Sequence, residues 1–330
     1  MDLSTNYMGI KLRNPFMVGA SPLVKELDTV KLLEDGGAAA IVMNSLFEEQ
    51  IVAEEVAAAG AVDAHTESFG EALSYFPRVE EYRIGSEEYL HQIQRIKKAV
   101  SIPVIGSLNG ITPGGWVRYA KMIAEAGADG LELNLYHLAS GEDRCGEVVE
   151  VKDLDLVKSI VQAIRLPVAV KISPFYTSVP AFARCLEDVG AKGLVVFNRF
   201  YQPDIDIEQL EVKRTLTLSD SSELLLRLRW LALLSGRTGL HLGVTGGVHT
   251  AVDAIKAVMA GADTIQMVSA LLHHGPKHLK KVRTEMVSWM EKHGYEAIGQ
   301  MRGSMNLKHS ADPSAYERAN YVHILQTWEP

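Results

Sequence analysis

The chain has 330 residues, 47% of them hydrophobic and 22% charged, and its 33 Lys and Arg against 41 Asp and Glu give a formal net charge of -8. That balance argues against a nucleic-acid backbone or an anionic membrane surface as a primary partner, since both are held by clustered Lys and Arg. The only two cysteines, Cys145 and Cys185, argue against a disulfide framework. Residues 1–7 lack a basic stretch followed by an apolar one, and no apolar run is long enough to span a bilayer, so the expected location is cytoplasmic.

The first strand is expected over Phe16 to Ala20, and a helix then closes on Gly36-Gly37-Ala38 and leads into a second apolar strand ending at Met43. From about Phe47 to Arg83 the connection is longer than an ordinary strand-to-helix link. It contains an Ala- and Glu-rich helical segment and then Tyr75-Phe76-Pro77-Arg78. Connections of that length are lids, interfaces or binding elements. The third strand follows Ile102-Pro103 and the fifth follows Leu166-Pro167, where proline can end a turn and open a strand. The fourth and sixth follow helices that stop at Gly127-Ala128 and Gly190-Ala191. The seventh runs from Leu240 to Val244 and meets the turn Gly246-Gly247; a helix from about His249 to Met259 then stops at Gly261-Ala262 before the eighth. Glycine at each helix stop takes the left-handed conformation cheaply.

Near-continuous apolar strands alternating with helices indicate parallel strands covered on both faces. The expected fold is α/β, a single (β/α)8 TIM barrel occupying one domain, 1–330, with a long insertion after strand 2 and a C-terminal extension. The extension comprises a helix from about Lys277 to His293 and a tail through Met301–Met305 to Tyr321–Trp328, whose aromatic content suggests docking on the barrel or on a second subunit.

Catalysis in such barrels occurs where the strands end. The polar residues there are Ser21, Asn44, Ser45, Ser107, Asn109, Asn134, Lys171, Ser173, Asn198 and Arg199. Gly246 and Gly247 let backbone N–H groups approach an anion at a helix N-terminus, and Ser269-Ala270, small residues ending the eighth strand, leave room for a second approach. A flavin ring fits such a lining, with Lys171 as the cation near its pyrimidine edge. Lys171 could instead be a Schiff-base nucleophile or a plain salt-bridge partner, although carboxylates for proton transfer are scarce at these strand ends. Asn134 could simply satisfy backbone groups. His273 and His274 read as surface or capping residues at the start of the last helix. Zinc-ligand spacing, a P-loop and a Gly-x-Gly-x-x-Gly motif are all absent from the sequence.

Asn14-Pro15-Phe16-Met17 with Ala20-Ser21, Glu132-Leu133-Asn134-Leu135, Val170-Lys171-Ile172-Ser173-Pro174, Val196-Phe197-Asn198, and Thr245-Gly246-Gly247 through Gln266 and Ala270-Leu271 to Gly275-Pro276 form an ordered set. With them the chain resembles the dihydroorotate dehydrogenase family, most closely its class 1, soluble branch. The resemblance implies FMN with its phosphate at Gly246, Gly247, Ser269 and Ala270, its ring edge near Lys171, and Ala20, Ser21, Asn134 and Asn198 lining the pocket; Asn44, Ser45 and Asn109, at neighbouring strand ends, are further candidates for the lining. It also implies a homodimer.

The departures are specific. Asn44-Ser45 stands where the family has Lys-Ser. The family's Asn-x-x-Gly-x-x-Asn loop is not recognisable in Ser74 to Gly85, and Ser221-Ser222 replaces a Gly-Gly before the sixth helix. The family's Cys or Ser base gives way to Leu135-Tyr136-His137-Leu138, so His137 becomes the candidate base, with Cys145 a weaker one. The implied reaction is dihydroorotate to orotate by hydride transfer to FMN, with Lys171, Asn134 and His137 as the catalytic set and a separate electron acceptor. The alternatives are a flavoprotein acting on another small planar ring or enone, and a flavin-binding protein without dihydroorotate activity.

Overall fold

The structure, a computed structural model, describes residues 1–48, 86–110, 112–135, 139–141, 145–199, 203–213, 215–317 and 319–327. The chain opens with an antiparallel hairpin, β1 (Thr5–Tyr7) and β2 (Ile10–Leu12). Then come β3 (Phe16–Val18), α1 (Leu27–Asp35), β4 (Ala40–Val42), β5 (Leu46–Phe47), α2 (Ser86–Ala99), β6 (Val104–Asn109) and α3 (Pro113–Glu125). The middle of the chain forms β7 (Gly130–Asn134), α4 (Gly146–Ala163), β8 (Val168–Ile172), α5 (Val179–Asp188), β9 (Gly193–Val196) and a second hairpin, β10 (Asp204–Asp206) with β11 (Glu211–Lys213). It ends with α6 (Leu224–Leu234), β12 (His241–Thr245), α7 (Ala251–Ala260), β13 (Thr264–Met267), α8 (Ser269–His274), α9 (Lys277–Lys292), α10 (Ile298–Met301) and α11 (Ala319–Thr327).

Eight of the nine strands of the main sheet, β3, β4, β6, β7, β8, β9, β12 and β13 in that order, pair in parallel, and the β3–β4 and β4–β6 pairings close them into a ring. This is the (β/α)8 barrel that the alternation of strands and helices implies. The pleat sends alternate side chains to opposite faces. Leu131, Leu133, Val168, Val170 and Ile172 pack outward in the shell shared with the helices, whereas Ala169, Val195, Ile105, Met17, Ala40 and Val42 fill the interior. Tyr7 and Met8 of the first hairpin join that inner cluster and plug the N-terminal end. A Cβ on Gly130 or Gly193 would sit 3.0 Å from the Met8 side chain, so the glycines opening β7 and β9 make room for the plug. Polar residues are thereby left at the other end.

The helix stops at Gly127 and Gly261 have φ of +94° and +124°, as their sequence context predicts. Each is followed by Ala-Asp, and the aspartates do the same work. Asp129 Oδ2 accepts from the Val104 N–H (2.7 Å) while its own N–H donates to the Val104 carbonyl (2.8 Å). Asp263 does likewise with Leu242 (2.7 Å for both). These pairs fix the register of β6 and β12 against the strands that follow them. Asp129→Ala, which also strips Lys97 of its partner at 2.7 Å, is expected to lower stability by about 1–3 kcal/mol in urea unfolding. An unchanged midpoint would reduce the repeat to an echo in the sequence.

Ser269-Ala270 do not end a strand: β13 stops at Met267, Val268 turns the backbone to φ -133°, ψ -71°, and Ser269 is the first residue of α8. His273 and His274 accordingly close α8 and are exposed rather than opening the last helix. The two hairpins and β5 were not anticipated, because strands of two or three residues carry too little alternation to read. Most of the insertion, including Tyr75-Phe76-Pro77-Arg78 and Ser74 to Gly85, lies outside the described residues. Its first residues are anchored: buried Glu48 accepts from the Thr112 N–H (2.8 Å) and hydroxyl at the start of α3. The C-terminal extension docks on the barrel through Gly303, Met305 and Leu307, whose N–H groups donate to the Val258, Met259 and Ala232 carbonyls, while Tyr321, Ile324 and Leu325 of α11 are exposed. Among the described residues no helix is long and apolar enough to cross a membrane.

Candidate active site

The inward positions of β6, β7, β8 and β13 turn polar toward the C-terminal end of the barrel, and they do so in two linked groups. In the first, Asn134 at the end of β7 donates its amide N–H groups to Ser45 Oγ (2.8 Å) and Ser107 Oγ (3.0 Å), which are 2.9 Å apart. Tyr89 of α2 pins this group from outside. Its hydroxyl donates to the Ser107 carbonyl and accepts from the Ser107 N–H, both at 3.0 Å, and burial pushes the phenol's pKa well above its ordinary value. In the second group, Glu132 Oε1 lies 2.7 Å from Lys171 Nζ and Glu132 Oε2 accepts from Gln266 Nε2 at 2.6 Å. Both side chains of the ion pair are buried, with 8% and 1% of their surface exposed. The register sets Asn134 beside Lys171, which joins the groups into one surface.

Three buried polar atoms around this surface have no hydrogen-bond partner among the described residues: Ser21 Oγ, Asn134 Oδ1 and Gln266 Oε1. Gln266 Oε1 lies 3.4 Å from where a Cβ on Gly19 would stand, which places it beside the end of β3, next to Ala20 and Ser21. Buried polar atoms left unpaired cost stability, so such a cluster marks a surface made to meet a polar partner.

A quarter-turn around the rim, β12 ends in the diglycine. Gly246 and Gly247 have φ of +82° and +84°, which aim their N–H groups along a path closed to most other residues. The Gly247 N–H donates to Ser219 Oγ (3.4 Å), Ser219 Oγ donates to Ser269 Oγ (2.9 Å), and the Ser219 N–H donates to Ser269 Oγ (3.1 Å). His249 Nε2 lies 3.5 Å from Ser219 Oγ, and burial lowers its pKa against the opposing pull of Asp253. The helix behind, α7, is fixed by a capping box between Thr250 and Asp253, which Ser221 joins through a 2.7 Å bond to the Asp253 carboxylate. Arg227 of α6 packs its guanidinium against Gly246 and donates from Nε to the Thr245 carbonyl (2.5 Å); burial lowers its pKa, with Glu223 opposing. Backbone donors, hydroxyls and a helix N-terminus converging on one point suit a phosphate.

Most of the residues expected from the sequence border these two regions. Ser45, Asn134 and Lys171 are in the networks, Ser21 is buried beside Gln266's strand, Ala20 packs on the inner cluster, and Gly246, Gly247 and Ser269 form the second region with Ala270 buried behind. Asn44, between β4 and β5, and Asn198, after β9, are half-buried, and Asn109 closes β6 opposite Phe47. Arg199 pairs with Glu223 (3.0 Å), whose other oxygen lies 3.5 Å from the Arg227 guanidinium. His137 lies outside the described residues, and Cys145 is exposed at the start of α4. The scarcity of carboxylates is the clear error: Glu132 touches Lys171. Its signal was present, a charged residue in phase with Asn134 inside an apolar strand. Ser219 and Arg227 gave no such signal, since they reach the rim from a separate connection and helix. The ion pair also weakens the Schiff-base alternative, because a nitrogen engaged at 2.7 Å with a carboxylate is not presented to a carbonyl carbon.

A profile of the family described as dihydroorotate dehydrogenase matches residues 82–290. The chain is 27% identical, over 323 residues covering 92% of it and 98% of the relative, to dihydroorotate dehydrogenase B (NAD(+)), catalytic subunit, of Thermoplasma volcanium. It is 28% identical over 215 residues, 62% of it and 68% of the relative, to dihydroorotate dehydrogenase A (fumarate) of Lactobacillus helveticus. It is 25% identical over 345 residues, 92% of it and 76% of the relative, to the chloroplastic dihydropyrimidine dehydrogenase (NADP(+)) of Arabidopsis thaliana. The profile covers well over half the chain, from before α2 into α9, so the chain belongs to the dihydroorotate dehydrogenase family, oxidoreductases that act on CH–CH groups.

Proposed function

We propose that this protein holds FMN at the C-terminal rim of its barrel and oxidises dihydroorotate to orotate, handing the electrons to a separate acceptor. The observation that carries the reading is the set of unpartnered buried atoms, Ser21 Oγ, Asn134 Oδ1 and Gln266 Oε1, beside the Lys171 ammonium and a quarter-turn of the rim from the diglycine. A flavin's pyrimidine edge alternates N–H and C=O groups and its tail ends in a phosphate, so this donor set fits it. Ser21, Asn44, Ser45, Asn109, Asn134, Lys171 and Asn198, with Ala20, would surround the ring. Gly246, Gly247, Ser269 and Ala270 would take the phosphate. Bound there, FMN supplies the hydride acceptor.

The chain's own residues supply position and charge. Asn134, locked by two serines, offers a fixed carbonyl oxygen; Lys171 offers the one ammonium of the inner rim among the described residues; and His137 is proposed to remove the proton adjacent to the departing hydride. The relatives are named for different acceptors, NAD(+) in one and fumarate in another, and the acceptor here is a separate redox partner.

One observation favours a second reading, a related dehydrogenase of an uncharged ring. Asn44, an amide, stands at the end of the second barrel strand, and the neighbouring ammonium of Lys171 is already paired with Glu132, which leaves little positive charge for a substrate carboxylate. The test is an anaerobic titration of the purified protein followed in the visible range. Bleaching by dihydroorotate supports the first reading. A yellow protein bleached by dihydrouracil and not by dihydroorotate supports the second, and a protein that takes up no flavin overturns both. In the same assay, unchanged reduction kinetics in His137→Ala would remove the histidine as base.

A further inference from the structure

We infer that Glu132 is a positioning residue whose single carboxylate, buried across the barrel beneath the mouth, sets both the charge and the hydrogen-bonding polarity of the ring pocket. The inference rests on the flavin reading above and goes beyond it.

In the ring of eight strands β7 and β13 are four places apart, so they face each other across the barrel. The 2.6 Å bond from Gln266 Nε2 to Glu132 Oε2 therefore crosses the interior and forms a floor, with Glu132 itself fully buried. The other oxygen holds Lys171 at 2.7 Å on the neighbouring strand. An ionised carboxylate only accepts hydrogen bonds. Gln266 must then turn its NH2 down to Glu132, and its carbonyl oxygen is left facing Gly19 without a partner. The unpaired acceptor that a flavin N–H would meet is thus a consequence of the charge on Glu132. So is the weakened field of Lys171, opposed from below by the carboxylate at 2.7 Å.

Stability does not explain the arrangement. A buried ion pair is seldom more stabilising than well-packed apolar residues of the same volume. A carboxylate that only held the fold together would need neither the partner across the barrel nor the unsatisfied oxygen that results.

Glu132→Gln separates the two roles. It keeps the side chain's size, and its oxygen can still accept from Lys171. Its new NH2, however, cannot accept from the Gln266 amide N–H as the carboxylate oxygen did, and pairing with the Gln266 oxygen instead turns Gln266 over to present a donor to the pocket. In the FMN-loaded protein the loss of a buried negative charge beside Lys171 is expected to tilt the equilibrium at least tenfold toward reduced flavin, about 30 mV for a two-electron couple. The inverted amide is expected to weaken FMN binding at the same time. E132Q/Q266E moves the carboxylate to the opposite strand and is expected to return the potential toward the native value. It also serves as the folded comparison should E132Q alone not fold, in which case a potential in E132Q/Q266E more than 30 mV from native overturns the inference. A native protein that binds FMN while E132Q leaves its potential and affinity unmoved, whatever happens to stability, also overturns the inference and leaves the flavin reading standing. A native protein that binds no FMN overturns both.

Discussion

Lys171→Met is expected to lower the stability of the cofactor-free protein by about 3–5 kcal/mol, read as a fall in the urea midpoint at constant slope. The cause lies with the partner left behind. Glu132 is fully buried, its remaining bond comes from a neutral amide, and methionine's thioether gives the carboxylate no donor. The charge must then stay unpaired in a poorly polarisable interior or take up a proton, and either is costly. The double variant K171M/E132L removes both charges and is expected to recover most of the loss, giving a large coupling energy in the double-mutant cycle. Were K171M as stable as the native chain, the two side chains could not be sharing the buried contact described at 2.7 Å.

Gly247→Ala carries the second large effect. At φ +84° an L-residue pays about 1–2 kcal/mol for the left-handed backbone alone. The added Cβ would also stand 2.8 Å from Leu224 Cα and closer still to its backbone nitrogen, at the start of α6. Backbone atoms cannot swing aside, and Leu224 is itself buried, so α6 must shift as a unit and carry Arg227 with it. A loss of more than about 2 kcal/mol in stability is expected. With it should come at least a tenfold loss of FMN affinity, because the Gly247 N–H moves with the turn. Gly246→Ala is the informative contrast. Its Cβ would meet the tip of the Arg227 side chain at 2.7 Å, a group that can move, so stability should suffer less while the contact to the Thr245 carbonyl is disturbed. Equal and small effects of both substitutions would show that the turn is not packed as described.

The barrel was legible because its signals are local and repeated. Helix stops such as Gly127-Ala128 and Gly261-Ala262 announce a strand each time, and an apolar run like that of β8 can only be buried on both faces. Lys171, Asn134 and the diglycine were legible for the same reason, as polar or glycine residues at the ends of such runs. What escaped notice depends on distance across the ring. Glu132 acquires its meaning from Gln266 on the facing strand, and Ser219 from Ser269, 50 residues away. The mistaken strand end at Ser269-Ala270 has a similar origin, since small residues suit the last turn of a strand and the first turn of a helix equally well.

In the proposed function one rim binds both ends of a flavin mononucleotide, the ring over Lys171 and the phosphate at Gly246-Gly247. Equilibrium titration of the cofactor-free protein with FMN and with riboflavin, followed by quenching of flavin fluorescence, addresses both ends at once. The prediction is one FMN bound per chain and riboflavin bound at least about a hundredfold more weakly, since two charge-assisted hydrogen bonds to phosphate together contribute about 3 kcal/mol or more. Equal affinity for the two, or no saturable binding of FMN, would contradict it.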